Sequence, residues 1–121
     1  MARVLLIDDS TDLRSALAQA LLSVGHKVRV AADGERGLAF QPLFRAEIVI
    51  TDIFMPDKDG IETVQEFKHD YPNVKIIVMS GSGRLDNSTY LAAARHVGAD
   101  AILRKPFDIQ ELLDSIDRLV L

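Results

Sequence analysis

Residues 4–11 read VLLIDDST, an apolar run of four residues followed by two aspartates and a Ser-Thr pair. Such an unbroken apolar run is typical of a strand that helices cover on both faces of a sheet. Ser10 and Thr11 are candidate caps for a following helix, and Gly25 is a candidate helix stop. The segment therefore predicts a strand, an acidic turn and a helix. The apolar stripe of this helix consists of Leu13, Leu17, Ala20, Leu21 and Val24.

Four further strand-like segments alternate with helical patterns, which is the arrangement of a doubly wound parallel sheet. Ile48–Ile50 and Ile76–Met79 are wholly apolar and belong in the middle of the sheet. Lys27–Val30 alternates charged with β-branched residues, and Ala101–Arg104 is short and ends in a charge, so both are predicted at the edges. The sequence thus predicts an α/β, flavodoxin-like sheet of five parallel strands in the order 2-1-3-4-5, with five helices.

The other four helices are predicted from apolar residues spaced by about 3.6 positions. The second, Glu35–Phe40, is expected to be cut short by Pro42. The third follows Gly60, the fourth lies within Arg84–Val97, and the fifth follows Asp108. The stripes of the third and fifth helices consist of Ile61, Val64 and Phe67, and of Leu112, Leu113, Ile116, Leu119 and Val120.

The composition of the 121 residues, 48% apolar and 26% charged, fits one globular domain over positions 1–121. The formal charge of −4 disfavours sequence-independent binding to nucleic acid or to an anionic membrane. The absence of cysteine excludes disulfides, zinc-thiolate sites and cysteine nucleophiles. Because the first apolar run is far too short for a signal peptide or a membrane span, we expect a cytoplasmic protein without membrane insertion.

Reactive side chains follow four of the five predicted strands, at the edge where ligands bind in open α/β sheets. The strand order makes strands one and three neighbours, so Asp8, Asp9 and Asp52 are expected to share one crevice. Three close carboxylates are costly without a cation, and an all-oxygen site with open positions suits Mg²⁺. Ser80 and Lys105 follow strands four and five, where a hydroxyl and an ammonium could contact phosphoryl oxygens.

This set of residues predicts a phosphorylation switch. A carboxylate beside Mg²⁺ can attack phosphorus in line and form an acyl phosphate, and Asp52 is the candidate nucleophile. The new charge would attract Ser80 and Lys105, whose movement could bias the neighbouring loops.

The order and spacing of several short motifs resemble those of the receiver domain of two-component response regulators, from Arg3 to the C-terminus. The motifs are Asp8-Asp9; Asp52 followed by Met55-Pro56 and Asp59-Gly60; Met79-Ser80-Gly81; and Gly98-Ala99-Asp100 ahead of Lys105-Pro106-Phe107.

The resemblance implies a metal site and a phosphoacceptor. Asp52 would accept the phosphoryl group from a histidine kinase or a histidine phosphotransfer protein. Asp9 would be the principal Mg²⁺ ligand, and Asp8 would assist. Asp52 and the backbone carbonyl of Phe54 would complete the protein's share of the ligands.

The resemblance also assigns the residues around the phosphoryl group. Lys105 would bind it, Ser80 would move toward it, and the Lys105-Pro106 bond is expected to be cis. Since the chain ends at Leu121 with the fifth helix, output is expected through a partner protein or a portion absent here, as a monomer or a phosphorylation-linked dimer.

Two positions depart from the family pattern. Ile102 stands where the family often has Tyr or Phe, whose rotamer reports activation, so a ring-flip relay is not expected. Phe54, two residues after Asp52, is a bulky apolar group that could restrict the access of hydrolytic water.

Two other functions are alternatives. A Mg²⁺-dependent phosphatase with an aspartate nucleophile would use similar groups, but such enzymes tend to carry an Asp-x-Asp pattern after the first strand. An interaction module that is never phosphorylated would not need Asp9, Asp52 and Lys105 together. The remaining acids and the histidines are interpreted as caps or turn formers (Asp12, Asp57, Asp59, Asp108) and as solvated surface residues (His26, His69, His96).

Overall fold

A computed structural model describes residues 1–53, 60–81 and 88–120 of the chain. In this part of the chain, strands and helices alternate from β1 to α5, as predicted. The elements are β1 (Arg3–Ile7), α1 (Thr11–Ser23), β2 (Lys27–Ala31), α2 (Gly34–Phe44), β3 (Ile48–Asp52), α3 (Gly60–Asp70), β4 (Lys75–Ser80), α4 (Ser88–His96), β5 (Ala101–Arg104) and α5 (Ile109–Val120).

The five strands form one parallel sheet in the order β2-β1-β3-β4-β5, which confirms the predicted topology. Every residue of β3, the central strand, is buried. The edge strand β2 exposes Lys27, Arg29 and Val30. The apolar runs thus mark the covered strands, and the charged alternation marks an edge.

Alternate side chains of the strands point to the two faces of the sheet and form two apolar cores. On one face, β1, β3 and β4 pack against α1 and α5, with Leu17, Leu21, Leu112 and Ile116 buried. On the other face the sheet packs against α2, α3 and α4, with Val64, Phe67 and Ala94 buried. Helices therefore cover both faces, as the unbroken apolar strands require.

The amino-terminal ends of α1 and α5 follow the predicted signals. Ser10 caps α1, its Oγ accepting the N–H of Leu13 at 3.4 Å. Asp108 caps α5, its Oδ1 accepting the N–H of Glu111 at 2.8 Å. The described part of α4 falls within the predicted range, and positions 84–87 lie outside the described residues. None of the helices in the described ranges could cross a bilayer by length and hydropathy.

The prediction that Pro42 cuts the second helix short is wrong, since α2 continues to Phe44. Pro42 removes one N–H donor, but it lies in the last turn of the helix, and the turn is held by other bonds. The N–H of Arg45 donates to the carbonyl of Gln41 at 2.8 Å. The buried side-chain amide of Gln41 also pairs with both backbone groups of Ala46, at 3.0 and 3.1 Å.

The prediction that His26 is a solvated surface residue is also wrong. His26 is 8% exposed, and its Nδ1 accepts the N–H of Ala2 at 3.1 Å. It lies between α1 and β2, beside the chain segment that enters β1. His69 and His96 are exposed, as predicted.

Asp100 links the start of β5 to the start of β4, which gives a testable prediction for stability. Its Oδ2 accepts the N–H of Ile76 at 2.8 Å and lies 3.0 Å from Nζ of Lys68, which also donates to the carbonyl of Val74 at 2.8 Å. Asp100→Ala leaves a buried N–H without this acceptor, so we expect a loss of about 2 kcal/mol in the free energy of unfolding, measured with urea.

Asp100→Asn is the matched control for this change. It retains an oxygen that can accept from Ile76 but loses the negative charge opposite Lys68. We expect it to lose less stability than Asp100→Ala, and an alanine variant as stable as the parent would contradict the assignment.

Candidate functional site

Three aspartates meet at the carboxyl ends of β1 and β3. Asp8 and Asp9 follow β1 directly, and Asp52 is the last residue of β3. The two strands pair in parallel with Ile7 opposite Thr51, so Asp8 lies level with Asp52. One carboxylate oxygen from each of the three aspartates lies within 4.8 Å of the others. The structure therefore brings together the three acids that the sequence predicted would share a crevice.

Asp8 is the most deeply buried of the three, with 0% of the residue exposed. Its Oδ1 accepts the N–H of Ser10 at 2.8 Å. Within the described residues, its Oδ2 is the buried side-chain oxygen that has no hydrogen-bond partner. Burial raises the pKa of the Asp8 carboxyl; the Ser10 N–H and Lys105 oppose this increase, and Asp52 and Asp9 add to it.

Lys105 brings a positive charge to the same edge. Its Nζ lies 3.3 Å from Oδ2 of Asp52 and 3.8 Å from Oδ2 of Asp8. Its backbone N–H donates to the carbonyl of Ser80 at 2.8 Å, which joins the ends of β4 and β5. The peptide bond between Lys105 and Pro106 is cis, as predicted.

Ser80 lies at the end of β4, beside the end of β3. Asp52 pairs with Met79 in the sheet, so Ser80 is one residue beyond this pair, and it is 2% exposed. Asp9, in contrast, is exposed, and the Asp52 side chain is 12% exposed. Among the described residues of the site, Asp8 and Ser80 are therefore buried, whereas Asp9 is exposed to solvent.

The donor set fits a hard divalent cation. The candidate side-chain ligands among the described residues are carboxylate oxygens, and two of these carboxylates, Asp8 and Asp52, lie within 4 Å of the Lys105 ammonium. The buried Oδ2 of Asp8 lacks a hydrogen bond, which a cation could compensate. Phe54, whose backbone carbonyl was predicted as a further ligand, lies outside the described residues, as do Asp57 and Asp59.

Sequence reasoning missed the contribution of Arg14. Its Nη1 donates to the backbone carbonyl of Asp8 at 2.7 Å and so fixes the turn that carries the first two acids. The available signal was its position in the first turns of α1, four residues after the Ser10 cap, where a long side chain can reach back to the strand end.

The profile of the response regulator receiver domain matches residues 4–117 of this chain. The chain belongs to the response regulator receiver family. A receiver domain is a signalling switch of two-component systems, so the predicted family, fold and general function are confirmed.

Several receiver proteins of bacteria are similar to this chain. The DNA-binding transcriptional regulator NtrC of Azospirillum brasilense is 35% identical over 117 residues, which cover 97% of this chain and 24% of NtrC. Sporulation initiation phosphotransferase F of Bacillus subtilis is 29% identical, with coverages of 96% and 91%. The chemotaxis protein CheY4 of Vibrio cholerae has a similar structure, with a TM-score of 0.90, 30% identity and 99% of each chain covered.

The receiver domain spans only part of some of these relatives. It covers 24% of the length of NtrC and 48% of the regulatory protein CpxR of Klebsiella pneumoniae, which is 34% identical.

Because Asp8 is buried, we expect its ionised carboxylate to lower the free energy of unfolding when no cation is bound. Its raised pKa means that, above about pH 4, the folded chain binds more protons at Asp8 than the unfolded chain does. Stability therefore falls as the pH rises through the interval between the unfolded and folded pKa values. In EDTA at pH 7, we expect Asp8→Asn to be about 1–2 kcal/mol more stable than the parent by urea denaturation.

Two controls for Asp8→Asn are the stability measured at low pH and the stability measured with added Mg²⁺. The advantage of Asp8→Asn should shrink toward pH 3, where the parent carboxyl is protonated in both states. Added Mg²⁺ should stabilise the parent more than the variant, since a ligand that binds the folded state stabilises it. A variant less stable than the parent in EDTA at neutral pH would contradict the assignment.

Proposed function

We propose that Asp52 is the phosphoacceptor of this receiver domain and that its phosphorylation is the switch. The observation that carries the proposal is the contact of the Asp52 carboxylate with Lys105 Nζ at 3.3 Å, beside two further acids. Asp8 is a poorer candidate, because it is fully buried and Ser10 occupies one of its oxygens. Asp52 is the carboxylate that combines partial exposure with a cationic partner.

We further propose that Asp9, Asp8 and Asp52 hold Mg²⁺, with the backbone carbonyl of Phe54 as a fourth ligand. The exposure of Asp9 and the absence of a hydrogen bond to the buried Oδ2 of Asp8 within the described residues support this assignment. When bound, Mg²⁺ would offset the negative charge of the carboxylates and of an incoming phosphoryl group. The Ser10 N–H and the Arg14 guanidinium would keep the Asp8 turn oriented toward the cation.

The proposed reaction is a transfer from phosphohistidine. An oxygen of Asp52 attacks the phosphorus, the bond from phosphorus to the histidine nitrogen breaks, and an acyl phosphate forms on Asp52. Lys105 would pair with the phosphoryl oxygens, and Ser80 would donate its hydroxyl to one of them. The same residues would assist hydrolysis by water, and we expect no turnover of an external substrate.

The partners follow from this chemistry. The donor would be a histidine kinase or a histidine phosphotransfer protein, in the cytoplasm. Output would pass to a partner protein, as a monomer or a phosphorylation-linked dimer, without direct contact with nucleic acid. The similarity to sporulation initiation phosphotransferase F, which this chain covers over 91% of its length, supports a role in phosphoryl transfer between proteins.

Phosphorylation by a small donor tests this proposal. With acetyl phosphate and Mg²⁺, intact-mass spectrometry should detect one added phosphoryl group that hydroxylamine removes. EDTA or Asp52→Ala should abolish the adduct, whereas Asp12→Ala, which removes an exposed acid from α1, should leave it unchanged. An equal adduct on Asp52→Ala would contradict the proposal.

A further inference from the structure

A groove of about 650 Å³ lies at the end of the sheet opposite to the carboxylates. Arg3 and Lys75, the first residues of β1 and β4, line it, together with the carboxyl-terminal ends of α2 and α5. Apolar side chains contribute much of the lining, namely Pro42, Pro72, Val74, Leu119 and Val120.

The charged groups along this groove are mostly positive. Among the described residues, Arg3, Arg45 and Lys75 line it together with one acid, Glu47. The Oε1 of Glu47 already accepts the backbone N–H of Arg3 at 3.0 Å. In a chain whose formal charge is −4, the groove is therefore a local basic surface with apolar walls.

Arg45 occupies a backbone conformation that usually favours glycine. With φ 56° and ψ 55°, it is the one non-glycine residue with positive φ in the described ranges. Glycine at such a helix end avoids the strain of a Cβ atom. A cation in the last turn of α2 would interact equally well with the helix dipole, yet that turn has none. Arg45 therefore lines the groove from a strained backbone position.

Hydrogen bonds to backbone carbonyls hold the charged residues of the groove in place. The Nε of Arg3 donates to the carbonyl of Arg45 at 2.9 Å, and the N–H of Glu47 donates to the carbonyl of Arg3 at 2.9 Å. The N–H of Lys75 donates to the carbonyl of Glu47 at 3.0 Å. The groove is therefore preformed, and binding a ligand would cost little conformational entropy of the backbone.

We propose that this groove binds an acidic peptide segment of a partner protein. The carboxylates of the peptide would pair with Arg3, Arg45 and Lys75, and its apolar side chains would pack on the walls. The interaction uses none of the residues of the carboxylate site, so it can be tested without phosphorylation.

The probe is a short amidated peptide that alternates leucine with glutamate, titrated into the ¹⁵N-labelled full chain. We expect NMR shifts centred on Tyr71, Val74 and Leu119, which line the groove. A matched peptide with lysine in place of glutamate should not bind. Absence of shifts at these residues, or equal binding of the lysine peptide, would overturn the proposal.

Arg45→Gly separates binding from stability. Removing one charge-assisted contact should weaken the glutamate peptide about tenfold, while relief of the left-handed strain should raise the melting temperature by about 3 °C. Arg36→Gln, which removes an equal charge at the other end of α2, should not weaken binding. Unchanged binding by Arg45→Gly, or self-association of the free chain through these residues, would overturn the assignment to a partner peptide.

Discussion

Lys105→Met is expected to slow the phosphorylation of Asp52 by acetyl phosphate about 100-fold at saturating Mg²⁺. The Lys105 ammonium lies 3.3 Å from Asp52 Oδ2, where it can pair with the phosphoryl oxygens as transfer proceeds. Methionine has a similar length but no charge and no N–H donor. The variant therefore tests the ammonium rather than the volume of the side chain.

The same variant is expected to bind Mg²⁺ about fivefold more tightly, as measured by calorimetry. The Lys105 ammonium offsets the charge of Asp8 and Asp52, as the proposed cation would, so removing the ammonium should leave the carboxylates more attractive to Mg²⁺. A slower transfer combined with tighter metal binding is a result that simple loss of folding cannot produce.

Lys27→Met is the matched control, because it removes an exposed lysine from the start of β2, far from the carboxylates. It should change neither the transfer rate nor the affinity for Mg²⁺. If Lys105→Met transfers phosphoryl groups at the parental rate, the role assigned to this ammonium is wrong.

Gly60→Ala is expected to lower the free energy of unfolding by about 2–4 kcal/mol and the melting temperature by about 10 °C. A Cβ at Gly60 would lie 2.5 Å from the carbonyl oxygen of Asp52 and 2.5 Å from Cα of Ile53. These are backbone atoms, which cannot rotate away as a side chain can. The N–H of Gly60 also donates to the carbonyl of Ile53 at 2.7 Å, so α3 is held directly against the end of β3.

The substitution should also weaken Mg²⁺ binding below the melting temperature, because the backbone of Asp52 must shift to admit the methyl group. Gly81→Ala is the control, because Gly81 directly follows β4 at the same edge of the sheet and a Cβ there would meet no heavy atom of the described residues within 4 Å. Thermal unfolding and metal titration of both variants check the prediction. A Gly60→Ala protein as stable as Gly81→Ala would contradict it.

The strand order could be predicted because the strands differ in pattern. The unbroken run before Asp8 marks a covered strand, and the charged alternation of Lys27–Val30 marks an edge. Once the order is known, the proximity of Asp8 to Asp52 follows from the parallel register. Lys105 directly follows the edge strand β5, so the parallel sheet also places it at the edge that carries the aspartates.

The errors concern contacts that hydrophobic periodicity does not encode. The helix continues past Pro42 because the side chain of Gln41 holds the following turn. His26 is buried beside Ala2, which is distant in sequence and whose N–H satisfies the ring nitrogen. Arg14 was missed because it donates to a backbone carbonyl, a group that every residue carries.

Chemical trapping of the acyl phosphate tests the central claim most directly. Borohydride reduces an aspartyl phosphate to homoserine, so the phosphorylated receiver domain can be reduced, digested and sequenced by tandem mass spectrometry. Homoserine at position 52, formed with Mg²⁺ and absent with EDTA, is the predicted result. Homoserine at position 8 or 9, or a stable phosphoserine at position 80 in its place, would contradict the account.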